Sequence, residues 1–190
     1  MNVPGSGKTS TARALSAYCR GHEDLKSIEL VSEYARRYIT KYGCIDCVQD
    51  QYRIMEKQID WEDSISLKTD LIITDSPIFI GWLYVMEFRK NDLKDVMFIN
   101  DIFKRMNKLN FPPRYDIIFH IPPTIKPVDD GVRHASQFED KWRTASDEVL
   151  KFIFRMFPPH RFVELTKTNI IDRANECIEH ILKYKREKHE

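Results

Sequence analysis

The chain has 190 residues, with 30 Lys and Arg against 29 Asp and Glu, and a formal net charge of +1. That length fits one compact domain (1–190) with a sizeable core and is cramped for two. Hydrophobic residues at 42% and charged residues at 31% exclude a disordered chain, and the balanced charge excludes bulk attraction to nucleic acid or an anionic membrane, leaving only a local basic groove.

In chain order, Val3-Pro4-Gly5-Ser6-Gly7 opens as a loop, and Lys8 to Arg20 follows as a helix with Ala12, Leu15 and Cys19 on one face. Ile28 to Val31 suits a short strand and Tyr34 to Tyr42 a helix. Val48 to about Leu67 reads as a longer helix, with Tyr52, Met55, Ile59 and Ile65 on one side. Leu71 to Thr74 is a β-branched buried strand, stopped by Asp75-Ser76-Pro77. Ile78 to Asn107 is mostly helical, with a break near Asn91-Asp92. Ile117 to Ile121 is another buried strand, ended by Pro122-Pro123. Residues 124–136 are polar and read as a loop. Gln137 to Phe157 is a helix, Phe162 to Leu165 a last strand, and Ile171 to about Lys185 a last helix. This alternation predicts an α/β fold, a mostly parallel sheet with helices on both faces. No apolar run approaches the roughly 20 residues that span a bilayer. The first residues carry no signal-peptide pattern, and the 4 Cys make no disulfide scaffold. The expected setting is therefore the cytoplasm, without a membrane partner. The basic Lys183–Lys188 run reads as a solvated helix end rather than a nucleic-acid tail.

Pro4-Gly5-Ser6-Gly7-Lys8-Thr9 is the core of a Walker A phosphate loop, with Ser10 following. Glycines let the backbone curl so that successive N–H groups face an anion, and the helix beginning near Lys8 adds its N-terminal dipole. Lys8 is placed to neutralise the β- and γ-phosphates, and the Thr9 hydroxyl to ligate Mg²⁺. The full pattern begins with Gly where this chain has Asn2, the side chain that best tolerates left-handed backbone angles.

Ligands of open α/β sheets gather at the carboxyl ends of the strands. Glu33 and Asp75 both sit there. Asp75 after Leu-Ile-Ile-Thr is a Walker B-like arrangement, which delivers one acid to the Mg²⁺ and phosphates; its competing reading is a helix N-cap before Pro77. Glu33 is placed to take a proton from an acceptor hydroxyl, and its competing reading is a solvated carboxylate at a helix start. Of Arg36 and Arg37, one should face the cleft and one solvent. The polar stretch of about 124–140 is a lid candidate, in which Arg133 stabilises the transferring phosphoryl group or is an ordinary loop arginine. Lys141 and Arg143 are weaker candidates of the same sort.

Cys44-Ile45-Asp46-Cys47 is a lone pair with no second ligand pair nearby, and the six His show no ligand spacing, so neither predicts a metal site. Tyr34, Tyr38, Phe79, Trp82 and Tyr84 lie near strand ends, where an aromatic ring can stack on a base but more often packs the core.

The phosphate loop, Glu33-Tyr34-Ala35-Arg36-Arg37-Tyr38, Asp75 and Asp130-Gly131-Val132-Arg133, in that order, resemble the P-loop kinases related to the ribosylnicotinamide kinase domain of bacterial NAD regulators. The resemblance implies ATP and Mg²⁺, with γ-phosphoryl transfer to a nucleoside-like or nucleotide small molecule. It makes Glu33 the acid facing the acceptor, Asp75 and Thr9 the residues near Mg²⁺, and Arg133 the lid arginine, with Lys8 on the phosphates. A stand-alone domain of this kind is also similar to virus-encoded nucleotide-metabolism kinases, whose setting is the host cytoplasm. Two other functions fit the loop: a kinase acting on a nucleic-acid end or modified base, which needs a positive groove, and a nucleotide-binding ATPase or switch, which needs no acceptor pocket. The resemblance implies the strand order 2-3-1-4-5, with a central strand just before the phosphate loop. Met1-Asn2-Val3 is too short for a typical strand of roughly five or six residues. The first strand is thus expected to be truncated or missing, and three arrangements follow. The native chain begins further upstream, another segment fills the gap, or Leu71–Thr74 pairs directly with Ile117–Ile121.

Overall fold

The computed structural model describes residues 6–66, 69–78, 80–81, 84–85, 93–109, 114–122, 139–156 and 161–188. Its elements are α1 (Lys8–Arg20), β1 (Ile28–Val31), α2 (Tyr34–Tyr42), α3 (Val48–Ser66), β2 (Leu71–Thr74), α4 (Leu93–Lys108), β3 (Ile118–His120), α5 (Asp140–Met156), β4 (Phe162–Glu164) and α6 (Ile170–Glu187). Pro4, Gly5, Phe79, Trp82 and the lid loop with Arg133 lie outside the described residues.

β1 pairs with β2 and β3 with β4, both in parallel, with Val31 opposite Thr74 and His120 opposite Glu164. Among the described residues the strands form two two-stranded sheets, β1-β2 and β3-β4, whose pairings are those of the outer strand pairs in the order 2-3-1-4-5 that the resemblance implies. Among the described residues no strand pairing joins β2 to β3, so the direct pairing of Leu71–Thr74 with Ile117–Ile121 is not formed. Between these two strands lies a cavity of about 760 Å³.

The period-2 alternation of each strand sends its side chains to two helical layers. Ile28, Ile73, Ile121, Val163 and Leu165 pack on one side against Ala12, Leu15 and Cys19 of α1 and Ala174, Cys177 and Ile181 of α6. One continuous apolar layer thus underlies both sheets. Asn169 caps α6, its Oδ1 accepting from the Ile171 N–H at 2.8 Å. On the other side, Ile118 meets Leu150 and Phe154 of α5, while Val48, Met55 and Ile59 of α3 meet Ile102 of α4.

A buried polar knot ties the two sheets together across that second side. Glu62 of α3 accepts from the Thr74 hydroxyl at 3.1 Å and the Tyr115 hydroxyl at 3.1 Å, and pairs with Arg114 at 3.2 Å. Burial pushes the Glu62 carboxyl above its usual range despite these donors. A second knot lies at the end of β3, where His120 Nε2 and Asp147 of α5 are 2.7 Å apart. Burial would raise the Asp147 carboxyl, but the bonds to His120 and Lys151 outweigh it and hold it below the usual range.

Candidate functional site

The phosphate loop turns into α1 at Gly7, whose φ of +85° belongs to the left-handed region. Side chains rarely adopt that angle, and a Cβ there would also lie 3.1 Å from the Arg173 guanidinium, so only glycine suits the position. Gly7 occupies the N-cap of α1 with no side chain to accept from the first-turn N–H groups. These N–H groups and the helix dipole are what an anion meets. Lys8 and Thr9, the first two helical residues, are half-buried, and Ser10 is exposed.

Thr9 and Asp75 meet across 66 positions of sequence: the Thr9 hydroxyl donates to Asp75 Oδ2 at 2.7 Å. The Asp75 N–H continues the β1–β2 ladder by donating to the Val31 carbonyl at 3.0 Å. Its carboxylate is thereby aimed from the strand end back at the phosphate loop. The helix-cap reading of Asp75 does not hold, because the Ile78 N–H goes to the Tyr115 hydroxyl instead. Asp75 is buried at 6% exposure, and among the described residues its Oδ1 has no hydrogen-bond partner; the neighbouring Ser76 hydroxyl is buried and, among them, unpartnered as well. An orphaned carboxylate oxygen beside a threonine hydroxyl is the hard oxygen donor set that a divalent cation such as Mg²⁺ takes, so these residues fit that ion.

Glu33 sits at the end of β1, the strand paired with β2, and forms the N-cap of α2. Its side chain is 17% exposed, makes no capping bond, and lies 3.8 Å from Arg36. Arg37 turns away and stacks on Trp61 at 4.2 Å, so the two arginines diverge as adjacent helical positions must. Tyr38 is packed rather than presented: it is buried with Ile45 and Ile54, and its hydroxyl donates to Asp50 at 2.7 Å. Tyr84 stacks on Trp142, with ring centroids 6.4 Å apart. Arg143 is buried on α5, 3.4 Å from Asp140, and Lys141 is exposed. Hydrogen bonding to Asp46 raises the Cys44 thiol, and burial raises Cys47, so both are held further from the thiolate that metal or redox chemistry needs. Among the described residues no group of three or more His, Cys, Asp or Glu is arranged to hold a metal ion, and no helix is long and apolar enough to cross a membrane.

The sequence reading missed Arg173. This arginine, in the first turn of α6, is 1% exposed, and its Nη1 donates to the Ser6 carbonyl at 3.0 Å. Among the described residues its Nε and Nη2 have no hydrogen-bond partner. It therefore props the phosphate loop from beneath and leaves a buried cation beside an anion-binding turn. Desolvation pushes its pKa down, the direction expected of a cation without a counter-charge. Arg173→Met should weaken ATP binding by about tenfold or more, the scale of losing a charge-assisted bond. The melting temperature of the free protein should hold or rise, since an uncompensated buried charge is removed. Calorimetric titration with ATP and a thermal melt of the nucleotide-free protein check both halves.

The comparisons agree with the loop. No curated protein and no solved structure matches the chain. A family model described as an AAA domain matches residues 3–173, from the phosphate loop to the arginine beneath it, and the chain belongs to this P-loop NTPase-like family.

Proposed function

We propose that the protein is an ATP- and Mg²⁺-dependent kinase that transfers the γ-phosphoryl group to a hydroxyl or phosphate of a nucleoside-like or nucleotide small molecule. The observation that carries this reading is the Thr9–Asp75 contact, with Asp75 Oδ1 left over, at the head of the phosphate loop. Thr9 and Asp75 would hold the ion, which supplies charge neutralisation on the transferred phosphoryl group. The N–H groups at the start of α1 and the Lys8 ammonium bind the phosphates and meet the charge that grows in the transition state. Kinase rather than switch rests on Glu33. It stands one strand over from Asp75, half-buried and with no cap to serve, and so is available to accept the proton of an acceptor hydroxyl. Arg133 completes the reading as the lid residue that shields and neutralises the phosphoryl group.

The decisive experiment is an ATP-consumption screen over nucleosides, nicotinamide riboside, mononucleotides and short oligonucleotides. Consumption that depends on one small-molecule class supports the reading. Consumption with oligonucleotides alone turns it into a nucleic-acid kinase, and consumption unchanged by every acceptor turns it into an ATPase or switch. With the acceptor in hand, Glu33→Gln should lower transfer about 100-fold, within the range for loss of a general base, and leave ATP binding unchanged. An unchanged transfer rate would make Glu33 a solvated carboxylate.

A further inference from the structure

Gln58 of α3 is 4% exposed, and burying an amide costs free energy unless its polar atoms find partners. Here they do. The Gln58 oxygen accepts from the Tyr34 N–H at 2.9 Å. Its amide nitrogen donates to Glu62 Oε1 at 3.3 Å and to the Thr74 hydroxyl at 3.4 Å. The amide cannot be turned round, because the flipped form sets N–H against N–H at Tyr34 and oxygen against the Glu62 carboxylate.

These partners flank the strand-end acids. Tyr34 is the first residue of α2, directly after its N-cap Glu33, and Thr74 is the last residue of β2, directly before Asp75. The β1–β2 ladder sets Val31 opposite Thr74, but β1 ends there, and Ser32 and Glu33 continue past it as irregular chain. Gln58 ties the chain beyond that end back to β2. The first N–H groups of a helix have no partner within it, and the N-cap side chain commonly folds back to take one. Gln58 takes the Tyr34 N–H from a different helix, and the Glu33 side chain makes no capping bond.

We propose that Gln58 is a positioning residue for Glu33: by capping α2 from α3 it leaves the Glu33 carboxylate free for the acceptor and fixes its place relative to Asp75. The inference rests on the reading of Glu33 as the base that takes the acceptor's proton. Gln58 is buried with its polar groups engaged, so it acts through Glu33 rather than on a substrate. A base must lie within hydrogen-bond reach of the acceptor hydroxyl while that hydroxyl lines up with the phosphoryl group. A misplacement of about 1 Å can cost on the order of 100-fold. Without Gln58 the Tyr34 N–H loses its partner, and the turn that carries Glu33 is free to shift. Thr74 keeps its bond to Glu62 and its place in the ladder, so Asp75 and the nucleotide end of the site stay where they are.

Two variants remove the bond to Tyr34 by opposite routes. Gln58→Met keeps the length and loses the polar atoms, whereas Gln58→Asn keeps the amide and falls one methylene short. A thermal melt confirms that each is folded, and where one is not, the other carries the test. The acceptor is the most active nucleoside or mononucleotide of the ATP-consumption screen. Both variants should lower kcat for transfer about tenfold or more, with the KM for ATP changed less than about twofold. In a Glu33→Gln background, with no carboxylate left to position, neither should lower transfer further by more than about twofold. Without any acceptor, the Tyr34 amide should exchange hydrogen about tenfold faster in both. Equal losses on both backgrounds would make Gln58 a residue of the fold alone, and a KM for ATP that rises in step would tie it to the nucleotide. A loss in only one variant would trace the effect to polarity or length rather than to the Tyr34 bond. Each of these results overturns the proposal. Unchanged transfer in both variants beside a deficient Glu33→Gln, or an unchanged Tyr34 amide, overturns it and leaves the kinase reading standing. A silent Glu33→Gln, or a screen with no active acceptor, removes the general-base reading and this inference with it.

Discussion

Lys8→Ala is expected to lower phosphoryl transfer by two to three orders of magnitude, about 10²–10³, and to leave the fold intact. The two halves of that expectation have separate causes. Lys8 is the first residue of α1, half-buried, and it belongs to none of the apolar clusters that hold α1 in place. Those contacts come from Ala12, Leu15 and Cys19, one to three turns further on. Removing the ammonium therefore takes no packing from the core. What it removes is a cation at the turn where the phosphates bind, and its loss grows as charge develops toward the transition state. A steady-state assay at saturating ATP, with a thermal melt beside it, separates the two. Activity within a factor of about ten of the parent would remove the loop from the chemistry, since losses at such sites are far larger.

The elements were legible because their signals are local. The 3.6-residue stripe of Ala12, Leu15 and Cys19 is the buried face of α1, and the β-branched run Leu71–Thr74 is β2 to the residue. The Thr9–Asp75 contact was legible for another reason. A phosphate loop and a strand-end acid each have a sequence pattern, and the parallel fold brings both to one edge. Arg173 has no such pattern. It is 167 positions from Ser6, and an arginine in a helix's first turn reads as a surface residue. A signal was nevertheless present: Arg173 shares the stripe of Ala174, Cys177 and Ile181, so its guanidinium had to be buried with them. Glu62 gives the same lesson, because it continues the Met55 and Ile59 face of α3 into the polar knot beneath β2. A charged residue on an apolar stripe marks a buried interaction whose partner the sequence does not name. The lack of a β2–β3 pairing among the described residues has a different cause. Whether two buried strands pair with each other depends on what lies between them, and that is a property of the whole layer rather than of either strand.

Asp75→Asn separates the roles a strand-end acid can have, and its expected effect is as large as that of Lys8. Asparagine keeps the shape of the side chain, and its carbonyl oxygen still accepts the Thr9 hydroxyl that now donates at 2.7 Å. It is also as good a helix cap as aspartate, so a capping role would survive the change. What is lost is the negative charge and the second oxygen, the buried Oδ1 that has no hydrogen-bond partner among the described residues, which becomes a donor amide. An amide donor cannot face a divalent cation. Transfer should fall by about 100-fold or more, and the Mg²⁺ concentration for half-maximal activity should rise at least about tenfold. Folding stability should change by less than about 1 kcal/mol, because the Thr9 hydrogen bond is kept. A Mg²⁺ titration of activity together with urea unfolding reads both quantities. A variant with the parent's Mg²⁺ dependence and lowered stability would make Asp75 a residue of the fold alone and would take the cation from this end of β2.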